Sequence, residues 1–136
     1  MITGLSHITL ITRDLDRMTR LMTELLGAEE VYSSGHDTFS VSREKFFIAG
    51  GLWVAVMEGE SLPDRTYNHI AFAIPEEDLD VATEKAKALG LDIRAPRPRI
   101  AGEGRSLYFY DHDNHLFELH TGTLDERLAS YAEVSG

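Results

Sequence analysis

Two histidines and one glutamate lie in strand-like, apolar segments of the chain. His7 opens "HITLIT", His69 opens "HIAFAI", and Glu118 lies between Phe117 and Leu119 in "HLFELH". An ionised carboxylate in such apolar surroundings is costly unless it pairs with a cation or a metal ion. Two imidazoles and a carboxylate make a three-ligand metal site with open positions, which suits polarising a substrate oxygen or activating water. If corresponding strands pack face to face, these three side chains converge on one metal ion.

Other histidines offer alternative ligands. A single strand histidine is usually structural, His115 and His120 flank the same glutamate, and His112 lies in a turn sequence. His7 and His69 are favoured because they occupy equivalent positions of an internal repeat.

The repeat consists of two stretches, "SHITLITRDLDRMTRLMTELLG" and "NHIAFAIPEEDLDVATEKAKALG". Each runs from a histidine through an apolar segment and acidic residues to an amphipathic segment ending in Leu-Gly. The apolar segments, residues 8–12 and 70–74, predict strands, and apolar residues spaced by three and four predict the following helices. Residues that start and end helices flank both segments, namely Asp14, Pro75, Gly27 and Gly90.

The segments after the helices, "TFSVSREKFFIAGGLWVAVMEG" and "GRSLYFYDHDNHLFELHTG", read as strands separated by the turns "AGG" and "DHDN". Each half therefore predicts the order βαβββ, at about residues 4–60 and 66–122, within a single domain spanning 1–136. Thr123 and Glu126 form a capping box that predicts a C-terminal helix at about 123–133. The predicted fold class is α+β.

The two copies differ where function is expected. Strand alternation places His7 with Thr9, Tyr67 with His69, and Glu118 with His120 on common strand faces. Aligning the copies on their closing glycines sets Ala55 opposite Glu118, so the chain offers three protein ligands and an open position. That favours a catalytic over a closed structural site.

Basic residues cluster in "RAPRPRIAGEGR", which holds four of the 13 Lys and Arg residues. The run can be ordinary loop charge, or it can clamp a phosphate-like anion through guanidinium groups and glycine backbone N–H groups. The members are Arg94, Arg97, Arg99 and Arg105, and Arg127 after the capping box can join them. Separately, Glu44 in "SREKFF" lies between two cations, and most residues of this kind are surface charge.

Composition narrows the class of protein. The 136 residues carry a formal net charge of −10, which disfavours binding to nucleic acid or to an anionic membrane. The sequence contains no Cys, so disulfides and thiolate chemistry are excluded. Without a run of membrane-spanning length or a secretory signal pattern, we expect a soluble cytoplasmic protein.

These residues together resemble the vicinal oxygen chelate superfamily (glyoxalase, bleomycin resistance, dioxygenase). The segments "GLSHITLI", "FSVSREKFF", "LWVAVMEG", "RTYNHIAF", "PRPR", "GEGRSLYFYD" and "NHLFELHTGTLDERL" are similar to fosfomycin-resistance epoxide hydrolases of the FosX type. The resemblance implies paired βαβββ modules that form a cupped mixed sheet around a metal site in a domain-swapped homodimer. His7 of one subunit would join His69 and Glu118 of the other around Mn²⁺, although the ligand types alone also suit Zn²⁺ or Fe²⁺.

The resemblance further implies hydration of the antibiotic's epoxide to a diol. Mn²⁺ would bind the epoxide and a phosphonate oxygen, Glu44 would be the general base and Thr9 the hydroxyl near the oxirane. Residues matched or assigned to the substrate are Tyr67, Tyr108, Arg127, Arg97 and Arg99. The related thiol transferases differ: Pro98 stands where the glutathione-using relatives have a phosphonate-binding Lys, and Gly102 stands where they have Ser. Glu103 and Ser106 match their K⁺-binding loop, but Arg105 beside them can supply the positive charge, so we do not predict K⁺.

Three other functions compete with this prediction. A thiol transferase of the same fold would open the epoxide without needing Glu44. A glyoxalase, isomerase or dioxygenase has no need of an arginine cluster. A protein that only sequesters a small molecule has no need of a metal ion.

Overall fold

The computed structural model describes residues 1–35, 42–96 and 98–135. The chain forms two compact units, one of residues 1–64 with 112–114 and the other of residues 65–111 with 115–136. Both contain the predicted βαβββ order, and the α+β class is confirmed.

The first unit holds a four-stranded mixed sheet and one helix. Its strand order is β1-β4-β3-β2, with β1 parallel to β4 and the other neighbours antiparallel. The elements are β1 (His7–Thr12), α1 (Leu15–Arg20), a π-helical turn (Leu21–Leu25), β2 (Glu29–Ser33), β3 (Glu44–Ala49) and β4 (Leu52–Glu58).

The helical segment made of α1 and the π-helical turn begins and ends where the sequence predicted. The Asp14 side chain accepts a hydrogen bond from the backbone N–H of Arg17, and Gly27 has the left-handed φ of 65° that favours glycine after a helix. The apolar face of the helix, including Leu15 and Met18, is buried, and α1 packs against β4. This packing covers one face of the sheet, while His7 and Thr9 stay exposed on β1.

The second unit repeats the arrangement in the order β5-β8-β7-β6, with β5 parallel to β8. Its elements are β5 (His69–Ala73), a 3₁₀ turn (Glu76–Asp78), α2 (Leu79–Ala88), β6 (Asp92–Arg94), β7 (Ser106–Tyr110), β8 (Leu116–His120) and α3 (Leu124–Ser135). The capping box holds in part, since Thr123 Oγ1 accepts from the backbone N–H of Glu126 at 3.1 Å. Helix α3 begins one residue later and ends two residues later than the predicted 123–133, a difference within the usual uncertainty of helix ends.

A buried carboxylate anchors the start of α1 within the first unit. Asp113, 2% exposed, accepts from the hydroxyls of Thr12 and Ser61 at 2.6 Å each and from the backbone N–H of Arg13 at 2.9 Å. Burial alone would raise the pKa of Asp113, but these hydrogen bonds and the nearby Arg17 lower it below its ordinary value. Asp113 is therefore held ionised at neutral pH.

No helix within the described ranges is both long and apolar enough to cross a membrane.

Candidate active site

The sheet register of the second unit gathers polar side chains on one face. Glu118 pairs with Ala71 of β5 and Tyr108 of β7, while Ser106 pairs with His120. Paired residues of neighbouring strands share a face, and so do residues two apart on one strand. The strands therefore present His69, Tyr108, Ser106, His120 and Glu118 together.

The His69 ring and the Glu118 carboxylate lie close enough to share a cation. Its Nδ1 lies 2.7 Å from the backbone carbonyl of Tyr67, and its Nε2 lies 3.1 Å from Oε1 of Glu118. Since a carbonyl only accepts, Nδ1 carries the proton, and Nε2 of a neutral imidazole points its lone pair at the carboxylate. Two electron-rich atoms at this separation need a proton or a metal ion between them. The donor set thus fits a divalent metal ion.

The second carboxylate oxygen of Glu118 is held by other side chains. Oε2 accepts from Ser106 Oγ at 2.6 Å and from Arg99 Nη2 at 3.1 Å, and the side chain is 6% exposed. Burial acts to raise the pKa of Glu118, but hydrogen bonds from Ser106 and Tyr108 and the charges of His120 and Arg99 outweigh it. The net result is a lowered pKa and a carboxylate that is ionised and ready to bind a cation.

A pocket of about 330 Å³ opens beside this pair. It is lined by His69, Ala71, Glu118, His120, Gly122, Thr123, Leu124 and Arg127. Arg127 is one-third exposed, and its Nε lies 3.9 Å from Oε2 of the buried Glu103. A guanidinium, two imidazoles and a carboxylate therefore share one small pocket that is suited to an anionic ligand with an oxygen-rich head group.

Tyrosines wall a neighbouring pocket of about 410 Å³ in the same unit, lined by Tyr67, Arg94, Ala95, Tyr108, Tyr110 and Leu116. The hydroxyls of Tyr67 and Tyr108 lie 3.4 Å apart. Burial, Tyr67 and Glu118 together raise the pKa of Tyr108. Tyr108 therefore stays protonated and can donate a hydrogen bond.

In the first unit, His7, Thr9 and Glu44 emerge from one face of the sheet. His7 pairs with Trp53, Thr9 with Ala55, and β3 continues the same rows so that Glu44 pairs with Met57. The His7 ring stacks on Trp53 with centroids 4.1 Å apart, and Ser6 Oγ lies 3.0 Å from its Nδ1. Of the two ring nitrogens of His7, Nε2 is the one that could ligate a metal ion.

Glu44 is not a member of the surface ion pairs around it. Arg43 pairs with Glu58 at 3.1 Å and Lys45 with Glu30 at 2.8 Å, so both flanking cations are directed to other carboxylates. Glu44 itself is half-buried, and among the described residues its carboxylate has no ion pair. The surface-charge interpretation of Glu44 is therefore weakened.

The arginines of the run "RAPRPRIAGEGR" contact different carboxylates and do not form one cluster in the described residues. Arg94 lies near Asp92 at 3.6 Å, and Arg105 pairs with Glu76 at 2.7 Å and with Asp80 at 3.0 Å. Arg99 is turned inward to Glu118 and Glu103. Arg97 lies outside the described residues.

The structure also shows the contacts of His115 and His120, the alternative metal ligands considered from the sequence. His115 Nδ1 lies 2.7 Å from Asp111 Oδ2 in the second unit, and this contact is separate from the described contacts of Glu118. His120 lines the pocket, with its Nδ1 2.7 Å from Ser106 Oγ.

Sequence reasoning missed the role of Ser106 beside Glu118. A signal existed, because a hairpin closed by the turn at residues 111–115 sets residue 108 opposite 118 and residue 106 opposite 120. Arg99 was singled out for its charge, but its contact with Glu118 depends on a loop path that strand periodicity does not predict.

Comparisons with known proteins agree with the resemblance. Residues 4–119 match the Glyoxalase/Bleomycin resistance protein/Dioxygenase superfamily. The chain is 62% identical over 131 residues to the fosfomycin resistance protein FosX of Listeria innocua, which covers 96% of this chain and 98% of that protein. It is 32% identical to the metallothiol transferase FosB of Staphylococcus saprophyticus, over 98% of this chain and 86% of that protein.

A solved structure extends this likeness to the fold. A variant of FosX from Listeria monocytogenes, complexed with Mn(II) and 1S,2S-dihydroxypropylphosphonic acid, superposes with a TM-score of 0.88 at 58% identity. The match covers 96% of this chain and 99% of that one. The chain therefore belongs to the glyoxalase/bleomycin resistance protein/dioxygenase superfamily and, within it, to the FosX group of fosfomycin resistance proteins.

Proposed function

We propose that this protein inactivates fosfomycin by Mn²⁺-dependent hydration of its epoxide to a diol, and so gives resistance to the antibiotic. The observation that carries this function is the full-length likeness to FosX, whose structure holds Mn(II) and a dihydroxypropylphosphonic acid. A vicinal diol is the compound that forms when water adds across the epoxide of an epoxypropylphosphonate. The substrate is thus a small phosphonate epoxide, and neither nucleic acid nor a membrane takes part.

The metal ligands we propose are His69 and Glu118 of one subunit and His7 of the partner copy. Support comes from the His69–Glu118 geometry, in which a lone pair faces a buried ionised carboxylate at 3.1 Å. Bound Mn²⁺ would supply Lewis-acid polarisation of the epoxide oxygen. The protein would work as a cytoplasmic homodimer with paired modules and shared metal sites.

We assign the proton transfer to Glu44. The carboxylate removes a proton from water as the water oxygen bonds to the phosphonate-bearing carbon and the C–O bond of the epoxide breaks. The freed epoxide oxygen takes a proton from solvent water and Glu44 returns its proton to solvent, which completes the diol and balances the step. Thr9, on the same sheet face, would donate to the epoxide oxygen.

Arg127 and Tyr108 would bind the phosphonate, with Tyr67 beside them. Arg127 lines the pocket next to Glu118, and Tyr108 keeps its proton for donation. Arg99 has two buried nitrogens, Nε and Nη1, without a hydrogen-bond partner among the described residues, although Nη1 lies near Glu103. Arg97 and Arg99 stay predictions as phosphonate ligands, and Arg127 carries this part of the proposal.

The runner-up is a thiol transferase that opens the same epoxide with a thiol. A direct comparison distinguishes the two: fosfomycin and Mn²⁺ are incubated with the purified protein, with and without glutathione or cysteine, and products are followed by ³¹P NMR. We expect diol without thiol. Product formed only with added thiol would reject the hydrolase in favour of the transferase, and no product together with tight binding would favour sequestration.

The shared site has its own test. His7→Ala and His69→Ala should each abolish activity, but mixing them lets a heterodimer form one site with all three ligands intact. Random exchange of subunits should then recover about a quarter of wild-type activity. Sites built within single chains would give no recovery, and light scattering that finds only the 15.2 kDa monomer would also reject the dimer.

A further inference from the structure

The two oxygens of the Glu118 carboxylate have different surroundings. Oε1 faces Nε2 of His69, whereas Oε2 accepts the short 2.6 Å hydrogen bond from Ser106 Oγ. A carboxylate can bind a metal ion through one oxygen or through both. The partners of Oε2 therefore decide which geometry Glu118 offers.

Ser106 is aimed by its own neighbours. Arg99 Nη2 lies 2.9 Å from Ser106 Oγ, and a guanidinium can only donate, so the hydroxyl oxygen accepts this bond. His120 Nδ1 lies 2.7 Å from the same oxygen, and the tautomer with hydrogen on Nδ1 makes it a second donor. With both lone pairs of Oγ engaged, the hydroxyl proton is directed to Oε2 of Glu118.

Buried contacts fix Arg99 in turn. Its side chain is 10% exposed, and Nη1 lies 3.7 Å from Oε2 of Glu103, which is itself 3% exposed. Glu103 accepts from the backbone N–H of Ile100 at 2.8 Å and from the hydroxyl of Tyr131 on α3 at 3.0 Å. The orientation of Ser106 is thus determined by the loop before β7 and by the C-terminal helix.

The position of Ser106 has an equivalent in the first unit, and the residue there is of a different type. Ser106 pairs with His120 on β8 as Glu44 pairs with Met57 on β4, so the repeat places Ser106 and Glu44 in equivalent positions. One unit carries a carboxylate there and the other a hydroxyl that reaches a carboxylate. The hydroxyl is therefore a specific feature of the unit that holds Glu118.

We infer that Ser106 is a positioning residue that restrains Oε2 of Glu118, so that Oε1 alone is presented to the divalent ion beside His69. This rests on the proposed metal site. Partners that orient a metal ligand are worth about 10–100-fold in metal affinity. Their loss leaves the ligand in place but lets the carboxylate rotate.

The experiment measures Mn²⁺ affinity by EPR titration of the purified protein, with no substrate present. Ser106→Ala should weaken Mn²⁺ binding by about 10–100-fold. The matched control is Ser61→Ala, which removes another 2.6 Å hydroxyl bond to a buried carboxylate, that of Asp113 in the first unit. The control should leave Mn²⁺ affinity unchanged, even where it lowers thermal stability.

A second pair of variants separates positioning from packing. The side chains introduced by Ser106→Thr and Ser106→Val have nearly the same shape, but only Thr keeps a hydroxyl. The Thr variant should therefore bind Mn²⁺ at least about tenfold more tightly than the Val variant. Equal affinities of Thr and Val, or wild-type affinity of Ser106→Ala, would overturn the inference while the metal site stands. Glu118→Gln tests the metal site itself: unchanged Mn²⁺ affinity of this variant would reject the proposed set of metal ligands.

Discussion

Replacing Glu44 with glutamine tests the proposed base without changing the shape of the side chain. Both hydrogen bonds that tie Glu44 to Ser34 use its backbone: the N–H donates to Ser34 Oγ, and the carbonyl accepts from the N–H of Ser34, each at 3.0 Å. Glutamine preserves both bonds and the pairing with Met57. We therefore expect Glu44→Gln to change the free energy of unfolding by less than about 0.5 kcal/mol.

The expected loss of catalysis is much larger. A positioned general base contributes about 10²–10⁴-fold, and at 1.36 kcal/mol per tenfold change the barrier should rise by about 2.7–5.4 kcal/mol. An amide has no basicity near neutral pH, so none of this contribution should remain. Mn²⁺ affinity should not change, because Glu44 is not among the proposed ligands.

The assay is the rate of diol formation by ³¹P NMR at saturating Mn²⁺, together with Mn²⁺ titration and urea unfolding of each variant. Glu30→Gln is the matched control, since Glu30 is a carboxylate of the same sheet that pairs with Lys45. Its rate should match that of the wild type. A Glu44→Gln rate within tenfold of wild type, or a loss that tracks weakened metal binding, would refute the assignment of Glu44 as base.

Two further predictions follow from the structure. Asp113→Ala removes the acceptor of three hydrogen bonds and should lower the free energy of unfolding by about 3 kcal/mol at pH 7. Because folding lowers the pKa of Asp113, this difference in the free energy of unfolding should shrink as the pH falls below the unfolded pKa of about 4. If urea unfolding finds the same loss of stability at pH 7 and below about pH 4, the prediction is contradicted. Arg127→Gln should raise KM for fosfomycin by about 10–100-fold with Mn²⁺ affinity kept; steady-state kinetics with unchanged KM would remove Arg127 from the phosphonate site.

Local patterns predicted most of the fold. The caps Asp14 and Thr123, the terminating glycine Gly27 and the alternation along β8 all act within a few residues of their own position. The internal repeat strengthens the prediction of secondary structure, because both copies must form the same elements.

What the sequence left open depends on contacts between distant residues. Ser106 reaches Glu118 through hairpin register, and Arg99 reaches it through a loop whose path is set by the buried Glu103. Asp113 was assigned only to a turn, yet it is bound to Thr12, 101 positions earlier in the chain. Spacing rules describe neighbours on one element and do not predict where a loop places a charge.

The source of the added oxygen tests the central claim most directly. The reaction is run without thiol in H₂¹⁸O with Mn²⁺ and fosfomycin, and the product is analysed by mass spectrometry and ³¹P NMR. We predict a diol with one ¹⁸O on the phosphonate-bearing carbon, absent when Mn²⁺ is removed. A thiol requirement, or a product without solvent oxygen, would contradict epoxide hydration by this protein.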